Sequence, residues 1–413
     1  MTGGGFPSRA SVLLAAAAAI VSYGLIWACF KPMLFSASKS DFSCFYRAGR
    51  MVIAGDRGRV YDLDAQRAYD QRLGTGFINA QGRQFSLPFV FPPYALALFA
   101  PLSCLPYPAA ELAWYVANAA MLLALPFVLR GSLKSSDRAV AAELLAPVLF
   151  VPAVLALMQG QPSILLLLLS GMGFAALAQG KETAAGFALG LATLKPQLVL
   201  PMLLALMIWR RWRAIAAMFG TVVALLGLSV AIVGWRATLD YPAAVVLFNH
   251  LPASLGGEHP ESMPNLRGSM YVLLREHLSE TAVAGITIAL SFLLLAILAL
   301  LLKQSPAVSR SSYSLVVVVT CLLSYHAYLH DDSLLLLPVI LLTQHLLDHH
   351  WTAAHTALAA ATGGLYMVPL LPTSLTTTAL QMATAMMFLV TVLAWRISGD
   401  VELGDECVAP SPS

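Results

Sequence analysis

Charge is what this sequence lacks most. Only 11% of its 413 residues are Asp, Glu, Lys or Arg, where a soluble domain carries about a quarter. A soluble globular enzyme, a disordered chain and a nucleic-acid-binding protein are all excluded, so no nucleic-acid partner is expected. The formal net charge of +3 is too small to argue for a polyanionic partner. Cysteine is sparse and scattered. Cys29, Cys44, Cys104, Cys321 and Cys407 form no Cys-x-x-Cys pair, which argues against a disulfide framework and a zinc site. There is no Walker loop, no Gly-rich dinucleotide motif and no His-Glu-x-x-His. No internal repeat is evident, so an inverted-repeat transporter has no support.

What is there is hydrophobic: 59% of the residues, with a mean hydropathy of +0.76. A membrane-spanning helix needs about 20 apolar residues. Runs of about that length, or broken versions, lie near 11–30, 89–105, 109–129, 139–157, 162–179, 183–209, 214–234, 281–302, 312–329, 333–347, 352–371 and 375–397. The expected fold is all-α: a polytopic membrane bundle of about twelve transmembrane or re-entrant helices, forming one domain over residues 1–397 with a cytoplasmic tail over 398–413. The first run follows Arg9, exceeds a signal-peptide core and lacks a clean cleavage site, so it reads as a retained first helix.

Two polar stretches, 31–88 and 235–280, are expected as external loops. Arg210, Arg211 and Arg213, and later Lys303 and Arg310, mark cytoplasmic connections. Parity then puts 235–280 and Tyr325 to Asp332 outside. Arg130, Lys134 and Arg138 also favour the cytoplasm, yet a plain helix count places them outside. The conflict disappears if one early segment is re-entrant and another is broken. Pro92-Pro93 and Lys195-Pro196 are the break points, because proline removes a backbone donor and clashes with the preceding turn. Within 31–88, Phe45, Tyr46, Gly49, Val52 and Ile53 share one helical face. They predict an amphipathic helix at the membrane interface, its arginines meeting lipid headgroups or solvent.

An ordered set of short motifs runs along the chain. It comprises Ser40-Asp41-Phe42, Phe45-Tyr46-x-Ala48-Gly49, Gly55, Tyr61-Asp62 and Phe89-Val90-Phe91-Pro92-Pro93. Gln159-Gly160-Gln161, Lys195-Pro196-Gln197, Asn265-Leu266-Arg267-Gly268 and Ser324-x-His326 with Asp331 follow. In order and spacing the set resembles glycosyltransferase family 87 of the GT-C superfamily. The resemblance implies a GT-C-type bundle that transfers a sugar from a polyprenyl-phosphate donor to a lipid or glycan acceptor, with membrane lipids as its surroundings. It implies a bacterial-type inner membrane, a site on the outer, periplasmic face, mannose as the first sugar to test, and no cofactor. In relatives that build phosphatidylinositol mannosides a β-linked donor gives an α-mannoside, which implies inversion by single displacement. A soluble nucleotide-sugar donor would require a cytoplasmic domain, and no such domain is evident.

Asp41 follows the first apolar run by about ten residues. The resemblance makes it the general base that takes the acceptor hydroxyl proton; position alone favours a helix N-cap. Lys195 lies deep in apolar sequence, where a lysine requires a polar partner or a cavity. It is a candidate to hold the donor phosphate, with snorkelling to the interface as the alternative. Gln159 and Gln161 are candidate contacts to sugar hydroxyls, against the plainer reading of a polar loop between helices; Tyr46, Gln197 and Asn265 join the substrate-binding candidates. Arg267 offers a planar guanidinium suited to phosphate, or faces solvent. His326 is a candidate second acid or base, or a satisfied interfacial histidine. Asp331 joins the substrate-binding set. His326, His330, Asp331 and Asp332 match no strong metal-ligand spacing, and no metal is expected. A transporter or flippase of lipid-linked saccharides is the competing function. It would need a continuous polar path, and the helices after residue 281 are almost free of charge until their outer ends. A non-catalytic membrane scaffold is the third.

Overall fold

A computed structural model of the chain describes residues 8–32, 40–78, 84–251, 257–348 and 352–399. The predicted tail over 398–413 lies almost wholly outside them. The described chain is helical apart from a two-residue antiparallel pairing, Phe77 opposite Phe85. Apolar runs become helices because a lipid environment offers no partner for unpaired backbone groups. In chain order the helices are α1 (Ser8–Leu25, continued by a π turn over Ile26–Phe30), α2 (Phe42–Ile53), α3 (Leu63–Leu73), α4 (Leu96–Leu102), α5 (Tyr107–Leu133), α6 (Asp137–Leu149) and α7 (Val151–Gln159). Next come α8 (Ser163–Ala178), α9 (Glu182–Leu191), α10 (Leu200–Ile208), α11 (Trp212–Val233), α12 (Trp235–His250) and α13 (Leu266–Leu274). The last are α14 (Glu280–Gln304), α15 (Arg310–Leu323), α16 (Leu336–Asp348), α17 (Ala353–Met367) and α18 (Leu375–Gly399).

Among the described residues, five helical stretches are long and apolar enough to cross a bilayer: 9–30, 107–133, 212–233, 280–304 and 375–397. Residues 137–159 make a sixth if their 64° bend is counted within one span. That bend has a local cause. Pro152 has no N–H for the carbonyl of Val148, so the helix stops at Phe150 and restarts. The same chemistry breaks 182–208. Lys195 precedes a proline and takes extended angles (φ −122°, ψ 89°) between two 3₁₀ turns. After Pro92, a 3₁₀ turn and α4 cover only ten residues, Pro93–Leu102. At about 1.5 Å per residue they span roughly half the hydrocarbon thickness.

These breaks sort the polar residues into two ends. At one end Arg310 pairs with Asp348 (2.6 Å) and donates to the Leu133 carbonyl (3.2 Å). There too Arg211 pairs with Glu182 (3.2 Å), Arg130 with Asp137 (2.5 Å), and Gln179 bonds Ser132 (3.1 Å). At the other end Lys31 meets Glu111 (2.8 Å), Gln161 meets Asp41 (2.7 Å) and Lys195 meets Asp331. The connections at 130–138, 210–213 and 303–310 therefore share one end. Both termini of the 182–208 stretch lie at this end and its middle, Lys195, at the other, while α4 and its preceding turn are too short to cross.

Two expectations for the polar stretches are corrected. The helix expected within 31–88 exists as α2, but it is not laid on lipid: Phe42 to Gly49 and Met51 are all buried. Arg47 is 1% exposed. It pairs with Asp70 of α3 and donates to Gln66 Oε1 and the Leu87 carbonyl, both at 2.6 Å. A counter-ion supplied from another helix lets that arginine enter the body instead of seeking headgroups. The 235–280 stretch is largely helical, as α12 and α13, not an open loop.

The helices α9 and α11 pack through Gly186 and Gly190, a small-x-x-x-small spacing that lets backbones approach. A Cβ on Gly186 would sit 2.1 Å from the Ala214 carbonyl oxygen, and one on Gly190 2.6 Å from Thr221 Cβ. Gly186→Ala should therefore destabilise the protein by about 1–3 kcal/mol, the usual range for overpacking. Gly220→Ala, with nothing within 4 Å, should not. Thermal unfolding of both variants in detergent checks this, and equal melting temperatures would refute the close approach.

Candidate active site

Five segments converge at the polar end. They are the start of α2, the turn after α7, the break at Lys195, residues 257–267, and the connection from α15 to α16. Tertiary hydrogen bonds hold the broken pieces in register. The Tyr94 hydroxyl donates to the Thr193 carbonyl (2.6 Å), and the Tyr61 hydroxyl to the Phe91 carbonyl (2.6 Å). Phe91 in turn presents its ring 5.6 Å from the Lys195 ammonium.

Asp41 does not cap its helix. Its backbone is helical (φ −59°, ψ −20°) and its side chain receives no bond from the first turn. Instead the carboxylate accepts a hydrogen bond from Gln161 Nε2 at 2.7 Å. Burial pushes the Asp41 carboxyl up to about 6, against the Gln161 hydrogen bond and the Lys195 charge, while Asp331 adds to the rise. The turn that delivers Gln161 depends on Gly160. That residue has φ +69°, and a Cβ on it would meet Phe42 Cβ at 2.8 Å. The Trp114 indole N–H donates to the Gly160 carbonyl at 2.8 Å and pins the turn. Oε1 of Gln159 and Oε1 of Gln161 are both buried without a hydrogen-bond partner among the described residues.

Lys195 is 5% exposed and is paired with Asp331, which is 1% exposed. Snorkelling is thereby excluded. Asp331 also accepts from the Ser163 hydroxyl (2.5 Å) and lies 3.5 Å from His330 Nε2. Burial pulls His330 down to about 4, so its imidazole is neutral near pH 7. Beside this cluster Gln197 donates to the His326 carbonyl (3.3 Å). The His326 Nδ1 lies 2.8 Å from Oε1 of Glu258, whose Oε2 is 2.5 Å from the Arg267 guanidinium. Arg267 also stacks over the Tyr325 ring at 3.9 Å. Burial alone would raise Glu258; the His326 and Arg267 contacts hold its carboxyl below the usual range instead.

Two sequence candidates leave the set. Asn265 caps α13 by accepting from the Gly268 N–H (2.8 Å), donates to the Ser324 carbonyl (2.9 Å), and is fully buried. Both ends of its amide are committed, so it ties α13 to the end of α15. Tyr46 is buried among aromatic rings, and its hydroxyl is spent on the Leu105 carbonyl (2.9 Å). It serves the core. Asp41, Gln159, Gln161, Lys195, Gln197, Arg267, His326 and Asp331 are brought to one end, although Gln197 uses its amide on backbone. Sequence reasoning missed Ser163 and Glu258, because each acquires meaning only through a partner far along the chain. Among the described residues no group of His, Cys, Asp and Glu could hold a metal ion.

Removing one member of a buried ion pair strands the other. Lys195→Ala should therefore cost about 3–5 kcal/mol, and adding Asp331→Asn should recover most of it. Unfolding of the single and double variants tests this. A Lys195→Ala protein as stable as the wild type would deny the pairing.

The model of glycosyltransferase family 87 matches residues 89–324, more than half of the 413 residues. The match takes in the Gln159 turn, the Lys195 break, Glu258 and Arg267. Asp41 lies before it, and His326 and Asp331 just after. No curated protein matches the chain. With its long apolar helices, this chain belongs to glycosyltransferase family 87 and is a membrane glycosyltransferase.

Proposed function

We propose that the polar end is a glycosyl-transfer site for a polyprenyl-phosphate sugar donor and a lipid or glycan acceptor, with Asp41 as general base. The observation that carries this reading is the Asp41 carboxylate. It is free of a capping role, oriented by Gln161, and raised toward neutrality by burial beside the Lys195–Asp331 pair. A base whose pKa lies near the working pH combines a useful ionised fraction with a useful proton affinity.

In the proposed step the acceptor hydroxyl attacks the anomeric carbon as its proton passes to Asp41. The carbon–oxygen bond to the donor phosphate breaks, and polyprenyl phosphate leaves with one more negative charge. Attack opposite the leaving group inverts the anomeric centre, and no sugar–enzyme bond forms. Lys195 and Arg267 supply the positive charge that the leaving phosphate requires. The two unpaired amide oxygens of Gln159 and Gln161 suit sugar hydroxyl donors, since a buried acceptor left empty costs about 1–3 kcal/mol. His326 is the second acid or base. Mannose is the first sugar to test. The arginine-rich end is assigned to the cytoplasm of a bacterial-type inner membrane, which puts the polar end on the outer face. In this assignment the 31–88 and 235–280 stretches stay external and residues 1–397 form one domain.

The assay is transfer by the purified protein from a panel of radiolabelled polyprenyl-phosphate sugars to membrane-lipid acceptors. Failure with every donor would reject the reading. Asp41→Asn should lower the rate about 10²–10⁴-fold while keeping its fold. The wild-type rate should fall as pH drops through about 6, where the base protonates. A raised carboxyl binds its proton more tightly folded than unfolded. Asp41 thus adds stability below about 6 and withdraws it as pH rises through that value. Asp41→Asn should remove this dependence, giving a melting temperature at pH 8 no lower than that of the wild type. A fully active Asp41→Asn protein would place the base elsewhere.

A further inference from the structure

Glu258 lies in the short segment 257–259 that leads from α12 into the 3₁₀ turn Pro260–Ser262. It is buried, yet it carries a carboxylate among apolar helices. Its two oxygens are divided: Oε1 faces His326 Nδ1 at 2.8 Å, and Oε2 faces Arg267 Nη2 at 2.5 Å. An ionised carboxylate only accepts hydrogen bonds, so Nδ1 must carry the hydrogen. That leaves Nε2 as the acceptor nitrogen of the neutral ring, and among the described residues nothing bonds it. Rotation of the ring is blocked on two sides. Phe248 and Tyr328 pack edge-on with centroids at 5.2 and 5.0 Å. The segment itself is anchored where the His259 N–H donates to the Tyr328 hydroxyl at 2.9 Å. The His326 side chain stays 26% exposed, so its unbonded nitrogen is within reach of a ligand.

We propose that Glu258 is the positioning residue of this site, fixing His326 as its Nδ1–H tautomer and clamping Arg267 beside it with the same carboxylate. This rests on the glycosyl-transfer reading only for what His326 and Arg267 then act on. The logic is that of carboxylates behind catalytic or metal-bound histidines: they set the tautomer and ring orientation and stabilise the imidazolium when it forms. The charged and titratable groups around the ring are Glu258, Arg267, Tyr328 and His330, with Lys195 beyond His330. Glu258 is the anion among them in direct contact with the ring. Because Arg267 shares the carboxylate, a phosphate drawn to the guanidinium competes with Glu258.

The test uses the full chain in lipid nanodiscs with ¹⁵N-labelled histidine, and His326→Gln assigns the resonance. In the wild type the His326 nitrogens should report the Nδ1–H tautomer. In Glu258→Gln a single amide oxygen cannot serve both Arg267 and His326, so the Nδ1–H preference should weaken and the two tautomers should mix. In the transfer assay Glu258→Gln should lower kcat about 10–100-fold. Glu258→Asp should recover part of the loss. A wild-type His326 in the Nε2–H form would overturn the proposal, and so would an unchanged tautomer in folded Glu258→Gln. Lost thermal stability with an unaltered tautomer would mark Glu258 as merely structural. The tautomer measurement needs no substrate, so a failed donor panel would reject the transfer reading and leave this inference to be decided by the spectrum.

Discussion

The buried pairing of Lys195 with Asp331 is the constraint on which the rest of the polar end depends. Two charges taken out of water are tolerable only if they meet each other and further hydrogen-bonding groups. Lys195 meets this by leaving its helix before Pro196, and Asp331 by gathering the Ser163 hydroxyl and His330. These requirements fix where α9 must break, where α8 must begin and where the chain must turn after α15. Asp41, held by Gln161, is placed against this assembly, and its raised proton affinity follows from burial beside it.

Around that pair the fold uses short and broken helices where a simple bundle would use long ones. A continuous span would bury every backbone polar group in its own hydrogen bonds and leave none for a ligand. The interruptions at Phe150, Gly160 and Lys195 release backbone groups from the helical ladder, and the last two bring polar side chains to the site. Each has a covalent cause in proline or glycine. The long uninterrupted helices, such as α11 and α14, carry largely exposed apolar faces, as expected of the lipid-facing part.

A second carboxylate organises the neighbouring corner. Glu258 joins Arg267 to His326 as Asp331 joins Lys195 to Ser163 and His330. In both clusters a buried anion is shared among several donors. This rigidifies the side chains and leaves selected atoms, His326 Nε2 and the Gln159 and Gln161 amide oxygens, without partners.

The sequence by itself determined the membrane class, the presence of long apolar helices and the breaks at Pro92 and Lys195, but not the bend at Phe150. Each of these is a property of neighbouring residues: hydrophobic run length, or a missing backbone N–H. It also nominated Asp41 and Lys195, because charge in an apolar context is conspicuous. It could not say that Asp41 orients toward Gln161 instead of capping, or that Arg47, Tyr46 and Asn265 are consumed by the core. Those outcomes depend on partners from other helices. Lys195 and Asp331 are 136 positions apart, Asp41 and Gln161 120, and His326 and Glu258 68. Only packing brings such residues together. A buried polar atom then takes whichever partner lies within hydrogen-bonding distance, and no local spacing records which one that is.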